Sequence, residues 1–381
     1  MKRNRFINLK AVSWMLLLVA LLSACREDDA GTPQAQMRTI SLNFPAIQPY
    51  TASRAENDVN AITHESTFHT ADIWVFNSDN TAGDATADAY KRIEDAERYT
   101  TNTGELRTEL TIPREITTVD IYVITNSSAT GLDANSTRSA LQSTTFSNKP
   151  NNETSSELTS NGLLMSRIIT GIPVANLSGS YDANTQLPLE RGVAKIACFF
   201  AKESESTQAE ITSITVSGAT DMGSVFPAAV TYANIDTRPS AANVPTEAET
   251  MSGFSILPTP FSVFAVLDEG ESLARGDDED AQEYVDRLEN TIHADHTNDY
   301  YLFEAKSDAI TVTISYTVNG EYRESIPVTL NQIDVIRNHY VVITGYIPDQ
   351  LQSMETDLNI LVIPWGIKGN EEGIIEVPPF I

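Results

Sequence analysis

The apolar positions of this chain fall into short runs, and few of them recur at helical spacing. From 38 to 44 they alternate, Ile40, Leu42 and Phe44 against Thr39, Ser41 and Asn43, which is the period-two signature of a half-buried strand. Pro45 and Pro49 then break the pairing. The next run, His69-Thr70-Ala71-Asp72-Ile73-Trp74-Val75-Phe76-Asn77, predicts a strand that closes in an Asn-Ser-Asp-Asn turn. Residues 90–99 read as a mixed strand, and 105–112 alternate with Leu106, Leu110 and Ile112 on or near one side. Val119-Asp120-Ile121-Tyr122-Val123-Ile124 is strongly β-branched, and shorter apolar pieces follow at 163–169 and 186–189. Val193-Ala194-Lys195-Ile196-Ala197-Cys198-Phe199-Phe200 is an almost unbroken apolar run, and 211–216 alternates again. Residues 254–267 are apolar but interrupted by Pro258 and Pro260. Further strands are predicted at 300–304 and 309–318, the second ending in Asn319-Gly320, the strongest short hairpin signal in the chain, with 322–330 returning. The last strands begin at Ile336 and Leu358, and the tail 373–381 is mostly apolar.

Polar stretches separate these runs. Residues 129–160 are rich in Ser, Thr and Asn and read as surface loop with a short helix near 139–143. Residues 219–253 read as a weakly patterned connection, and 269–299 as an acidic insertion or long loop. Short strands, long loops and little helical periodicity predict an all-β protein. The length and spacing fit two antiparallel β-sandwiches in tandem, each of roughly seven strands. The boundary is expected just before Leu189, giving domains over 55–188 and 189–381.

The amino end is different. Lys2, Arg3, Arg5 and Lys10 precede an apolar run at 14–22 that is too short to span a bilayer. Leu21-Leu22-Ser23-Ala24-Cys25 closes it in the pattern of a bacterial lipoprotein signal, which predicts removal of 1–24 and a lipid on Cys25. The plainer alternative is an ordinary secretory signal with a chance cysteine. Arg26-Glu27-Asp28-Asp29 resembles the acidic tag that sends Bacteroidetes lipoproteins to the outer face of the outer membrane, and serves equally as a solvated tether. Among 381 residues, 25 are Lys or Arg and 52 Asp or Glu, a net charge of −27. Without the four basic residues of the signal, 25 − 4 = 21 basic residues face 52 acidic ones, a net of −31. That charge argues against nucleic acid or an anionic membrane surface as a partner. Cys198 has no second cysteine to pair with in the mature chain and reads as a buried thiol.

Residues 50–58 are polar and unpatterned, an exposed loop of the kind proteases cut. Arg54 stands alone there, with no Lys or Arg between it and Lys91. Other short motifs take their plain reading. Arg275-Gly276-Asp277 runs into Asp278-Glu279-Asp280 and reads as solvated acidic loop. His293-Ala294-Asp295-His296 is short of the three or four ligands that zinc requires. The acidic cluster does not have the spacing of an EF-hand loop. With neither a Gly-rich phosphate loop nor a nucleophile elbow, the sequence points to no catalytic residue, cofactor or metal, and enzymatic chemistry is not expected.

The ordered set formed by the lipobox, Trp74-Val75-Phe76, Leu189-Glu190-Arg191-Gly192-Val193-Ala194-Lys195-Ile196, Arg337-Asn338-His339-Tyr340 and Pro364-Trp365 resembles the fimbrillins, subunits of the type V pili of Bacteroidales. The resemblance implies two transthyretin-like β-sandwich domains, lipoprotein export to the cell surface, and removal of the first strand by an arginine-specific protease. It implies that the vacated groove takes a strand from a neighbouring fimbrial subunit, so that a head-to-tail polymer grows. Carried onto this chain, it makes 25–54 a removable segment with Ile40, Leu42 and Phe44 as its core side chains. Cleavage would fall between Arg54 and Ala55, and the tail with Ile374, Ile375 and Val377 becomes a candidate donor. Pro378 and Pro379 count against the tail, which could equally pack on its own domain. Expected partners are other fimbrial subunits, the protease, the outer membrane through lipid before processing, and host or bacterial surface ligands. The alternatives are a tip, accessory or anchor subunit, or a monomeric glycan-binding surface lipoprotein; the last requires exposed aromatic platforms, whereas Trp74 and Trp365 both sit in apolar strand runs.

Overall fold

The computed structural model describes residues 36–45, 65, 67–96, 105–127, 130–152, 154–179, 185–237, 241–257, 259–267, 271–276, 278–292, 299–306, 310–324, 328–329, 335–349, 358–364 and 375–377. In the first half, strands β1 (Met37–Phe44), β2 (Ala71–Asn77), β3 (Ala89–Ile93), β4 (Leu106–Pro113), β5 (Thr118–Thr125), β6 (Thr145–Phe146) and β7 (Met165–Pro173) are joined by helices α1 (Arg138–Ser143) and α2 (Ser156–Asn161). The second half begins with β8 (Glu190–Arg191), β9 (Ala194–Lys202), β10 (Ala209–Ser217), β11 (Gly223–Ser224), β12 (Val230–Thr231), β13 (Phe254–Ser255) and β14 (Phe261–Val263). Helix α3 (Ala281–Ile292) follows, then β15 (Tyr300–Leu302), β16 (Thr311–Val318), β17 (Glu321–Glu324), β18 (Val328–Thr329), β19 (His339–Ile347), β20 (Leu358–Pro364) and β21 (Ile375–Val377). The protein is all-β.

Two sandwiches result. In the first, a sheet ordered β12-β7-β5-β2-β3, with β8 added to β7, faces the two-stranded sheet β1-β4. One core cluster joins them, with Ile40, Leu42, Leu106, Leu110 and Ile112 from one side and Ile73, Val75, Ile121, Val123 and Ile169 from the other. In the second, β15-β9-β19-β20-β21 faces a sheet centred on β10 and β16. Ile196, Cys198, Val341 and Ile343 there pack with Ile211, Ile214, Val312 and Ile314. Between the named strands, pairing among the described residues is antiparallel except where β19 runs parallel to β9 and β12 parallel to β7. The Asn319-Gly320 hairpin forms as read: Val318 pairs with Glu321, and both turn residues have positive φ, 51° and 84°, as a two-residue type I′ turn requires.

The unbroken apolar runs have a simple cause. A strand covered on one face alternates, whereas a strand covered on both does not. All nine residues of β9 are buried, since α3 packs Tyr284, Val285, Leu288 and Ile292 against Phe199, Tyr340 and Val342 on the sheet's outer side. Likewise Trp74, Phe76 and Tyr122 on the outer side of the first sheet are covered by Leu141 of α1 and by Val225 and Phe226.

Two expectations are corrected. The acidic stretch 269–299 holds the twelve-residue helix α3; its apolar residues fall on one helical face, and the acidic residues between them mask the pattern. Residues 129–160 are not all surface loop, since Leu141, Leu158 and Pro150 are buried and β6 pairs with β11 of the second half. The boundary expected just before Leu189 is crossed by strand pairing. Strands β8 and β12 lie beyond it, yet both hydrogen-bond to β7 of the first sheet.

Candidate functional site: the first strand and its slot

The alternation at 38–44 builds a strand whose inward side chains are wholly enclosed: Ile40, Leu42 and Phe44 are each 0% exposed. Strand β1 pairs with β4 in unbroken register, from Met37 with Pro113 to Phe44 with Leu106. On its far edge the Leu187 N–H donates to the Asn43 carbonyl at 2.8 Å, and Gln186 forms a parallel bridge to Asn43. At its start the Arg114 N–H donates to the Gln36 carbonyl at 2.7 Å, and Arg114 Nη1 donates to Gln36 Oε1 at 3.0 Å. Full burial of side chains of this size contributes about 1.5–3 kcal/mol each, as an upper bound. A strand so placed is half of its wall, since among the described residues β4 is the other strand of that sheet.

Cys25, Arg54, Ala55 and Ile374 lie outside the described residues. The backbone of Ile375 and Val377 is in β21, which pairs antiparallel with β20, Ile375 opposite Val362 and Val377 opposite Ile360. Of the two placements open to the tail, this is the one on its own domain. Trp74 is 0% exposed, and its Nε1 donates to the Asp133 carbonyl at 2.8 Å, so it offers no aromatic platform; Trp365 lies outside the described residues. Arg275 donates through Nε to the Glu279 carbonyl at 2.7 Å. His293 to His296 and Asp277 are outside the described residues. Among the described residues, no group of three or more His, Cys, Asp or Glu is placed to hold a metal ion. Burial pushes the Cys198 thiol well up from its usual range, with Asp299 adding to the rise, which makes it a poor nucleophile.

The two sequence blocks around Arg191 and Arg337 meet at the junction of the sandwiches. Tyr340 pairs with Lys195 across the parallel strands β9 and β19. Asn338, at a left-handed φ of 58°, donates its N–H to the Val193 carbonyl at 2.9 Å and accepts from Arg191 Nη1 at 3.2 Å. Arg337 donates through Nε to Glu304 Oε2 at 2.7 Å and through Nη2 to the Ser224 carbonyl at 2.7 Å. Lys195 bridges Asp299 and Glu65, the latter at 3.1 Å, and Tyr301 Oη donates to Glu65 Oε1 at 2.6 Å. Burial lowers the Arg191 guanidinium to about 10, with Glu65 and Tyr301 opposing the fall, so it is charged at neutral pH. These charges are paired inside the molecule and serve the junction rather than a ligand. Sequence reading passed over Glu65 because nothing in its local sequence points to burial. Lys195, by contrast, carried a signal, a charge set inside an apolar run.

Beside the junction a cavity of about 210 Å³ is lined by Phe146, Lys149, Glu157, Leu163 and Val193. Lys149 sits 5.5 Å from the centre of the Phe303 ring. Burial lowers its ammonium to about 8, partly offset by Glu157. Phe146 meets Phe303 edge-on at 5.1 Å, and a Cβ at Gly192 or Gly223 would stand 2.8 Å or 3.2 Å from the Phe146 ring, so these glycines admit the aromatic wedge.

No protein-family model and no curated protein matches the chain. Among solved structures it is similar to a C-terminally truncated tip fimbrial protein of Porphyromonas gingivalis, at 13% identity over 87% of this chain and 100% of that one, with a TM-score of 0.48. It is also similar to a fimbrial assembly protein of Parabacteroides distasonis, at 14% identity over 90% of this chain and 100% of the other, TM-score 0.47. A fimbrilin of Porphyromonas gingivalis is similar at 13% identity over 87% and 98% of the two chains, TM-score 0.46.

Proposed function

We propose that this chain is a structural subunit of a cell-surface fimbrium, joined to its neighbours by exchange of one strand and supporting adhesion. The observation that carries the reading is β1, which supplies half of a two-stranded wall and three wholly buried side chains. Its position in sequence adds support, between the lipoprotein signal ending at Cys25 and the solitary Arg54. Cleavage between Arg54 and Ala55 by an arginine-specific protease would free β1 from the rest of the chain. Its loss would open a groove with the unpaired edge of β4 on one side, and such a groove recruits an extended strand. A head-to-tail contact of this kind extends into a filament and does not close.

The test is a chain expressed from Arg26 onward and treated with an arginine-specific protease. A new amino terminus at Ala55 with oligomer ladders on unboiled gels, lost when 373–381 are deleted, is the result expected of a stalk subunit. An intact Arg54 with a stable monomer overturns the processing mechanism. A second reading, as a tip or accessory subunit, draws on β21: a tail paired with its own sheet is not a free donor. That reading expects clean cleavage without ladders.

A further inference from the structure

Strand β1 fills its slot incompletely. Arg38 stands on the same side of the strand as Ile40, opposite Ile112, yet its Nε and Nη2 are enclosed without a hydrogen-bond partner. On the opposing strand Thr108 faces Leu42; it is 2% exposed, and its Oγ1 is likewise unpartnered. On the outer side Asn43 is 2% exposed with an unpartnered Oδ1. A buried polar group left unpaired opposes folding; Arg38 as a whole is half-buried, and its Nη1 is not among the enclosed atoms. The mismatches do not sit on the same strand. Arg38 and Asn43 leave with β1, whereas Thr108 belongs to the slot.

Resting on the strand-exchange reading above, we propose that the slot is matched to a strand other than β1. That strand comes from another subunit and presents an aliphatic side chain where Arg38 stands and a hydrogen-bonding side chain opposite Thr108. Strand β1 is then a placeholder. It is apolar enough at Ile40, Leu42 and Phe44 to complete the first core, and poor enough at Arg38 and opposite Thr108 to be replaced. Paired hydroxyl side chains across a ladder form a favourable contact, so the preferred occupant carries Thr or Ser at the place of Leu42.

Two measurements separate this proposal from the reading it rests on. The first uses the uncut chain from Arg26 and needs no exchange. Arg38→Leu and Thr108→Val each relieve one mismatch and are expected to raise the melting temperature by about 2–4 °C. A fall in both variants overturns the proposal. The second uses chain cut after Arg54 and ten-residue peptides of the 36–45 sequence. The peptide with Arg38→Leu is expected to displace the resident strand about tenfold faster than the unaltered peptide. The peptide with Leu42→Thr is expected to gain on the unaltered one about threefold more in the Thr108 chain than in the Thr108→Val chain, a coupling of the size that facing residues show. Equal displacement by all three peptides overturns the proposal. If no peptide displaces β1, strand exchange itself fails, and the melting temperatures alone decide whether β1 is mismatched.

Discussion

Among the described residues, a six-stranded sheet in the second sandwich faces five strands, whereas a six-stranded sheet in the first faces only β1 and β4. Both cores are closed and both are apolar. They differ in how much of a wall any single strand supplies. Removing β21 takes a three-residue ladder from one edge of a five-stranded sheet. Removing β1 takes an eight-residue ladder and half of its sheet. On the proposed strand-exchange reading, the thin wall is where a strand would be exchanged, and a strand near the chain end is not by that fact a removable one.

The largest effect is expected from starting the chain at Ala55. Loss of Ile40, Leu42 and Phe44 from the core removes about 5–9 kcal/mol of burial, comparable to the whole stability of a domain. Urea unfolding is expected to lose its cooperative transition in the first sandwich, with apolar dye binding appearing; retention of a native transition breaks the comparison. Glu304→Gln comes next, at about 3–5 kcal/mol, because it leaves the wholly buried Arg337 without its charge partner. Since Arg337 also holds the Ser224 carbonyl of β11, this loss is expected to destabilise both halves in one transition. Phe44→Ala is expected to cost about 3–5 kcal/mol, while Tyr322→Ala, at a position 58% exposed on β17, costs about 0.5 kcal/mol or less.

Truncation before residue 373 is expected to lower stability by at most about 2 kcal/mol, the scale of a few edge hydrogen bonds. A cost equal to that of losing β1 would make the two ends equivalent. The smallest effect concerns Lys149. Its ammonium sits at about 8 in the folded chain because burial disfavours the charge, against about 10.4 when unfolded. Between those values the unfolded chain holds more protons, so this residue's contribution makes stability rise with pH across about 8 to 10. Comparing Lys149→Met with the parent over that range isolates it: the parent's melting temperature should climb relative to the variant's, and parallel curves contradict the assignment.

Much of the fold was legible in local pattern. The alternation at 38–44 and the Asn319-Gly320 turn became β1 and the β16–β17 hairpin almost residue for residue, because both signals are local in origin. Helix α3 was missed because acidic residues filled its solvent face and hid the spacing of Tyr284, Val285, Leu288 and Ile292. The reach of β8, β11 and β12 back toward the first half was also missed; two-residue pairings carry no periodicity and are decided by tertiary packing. At the candidate site the inward faces of Ile40, Leu42 and Phe44 could be read directly. The orphaned groups of Arg38, Asn43 and Thr108 could not, because an unmet hydrogen bond is a property of the surroundings and not of the residue.

The central claim, that β1 occupies a slot another strand can take, is tested most directly on a chain beginning at Ala55, with and without a tenfold excess of a peptide spanning 36–45. Size-exclusion profiles and unboiled gels report the outcome. The account expects oligomer ladders from the chain alone and their suppression, with recovery of a cooperative monomer, when the peptide is present. A chain that is equally stable and equally monomeric with and without the peptide would contradict it.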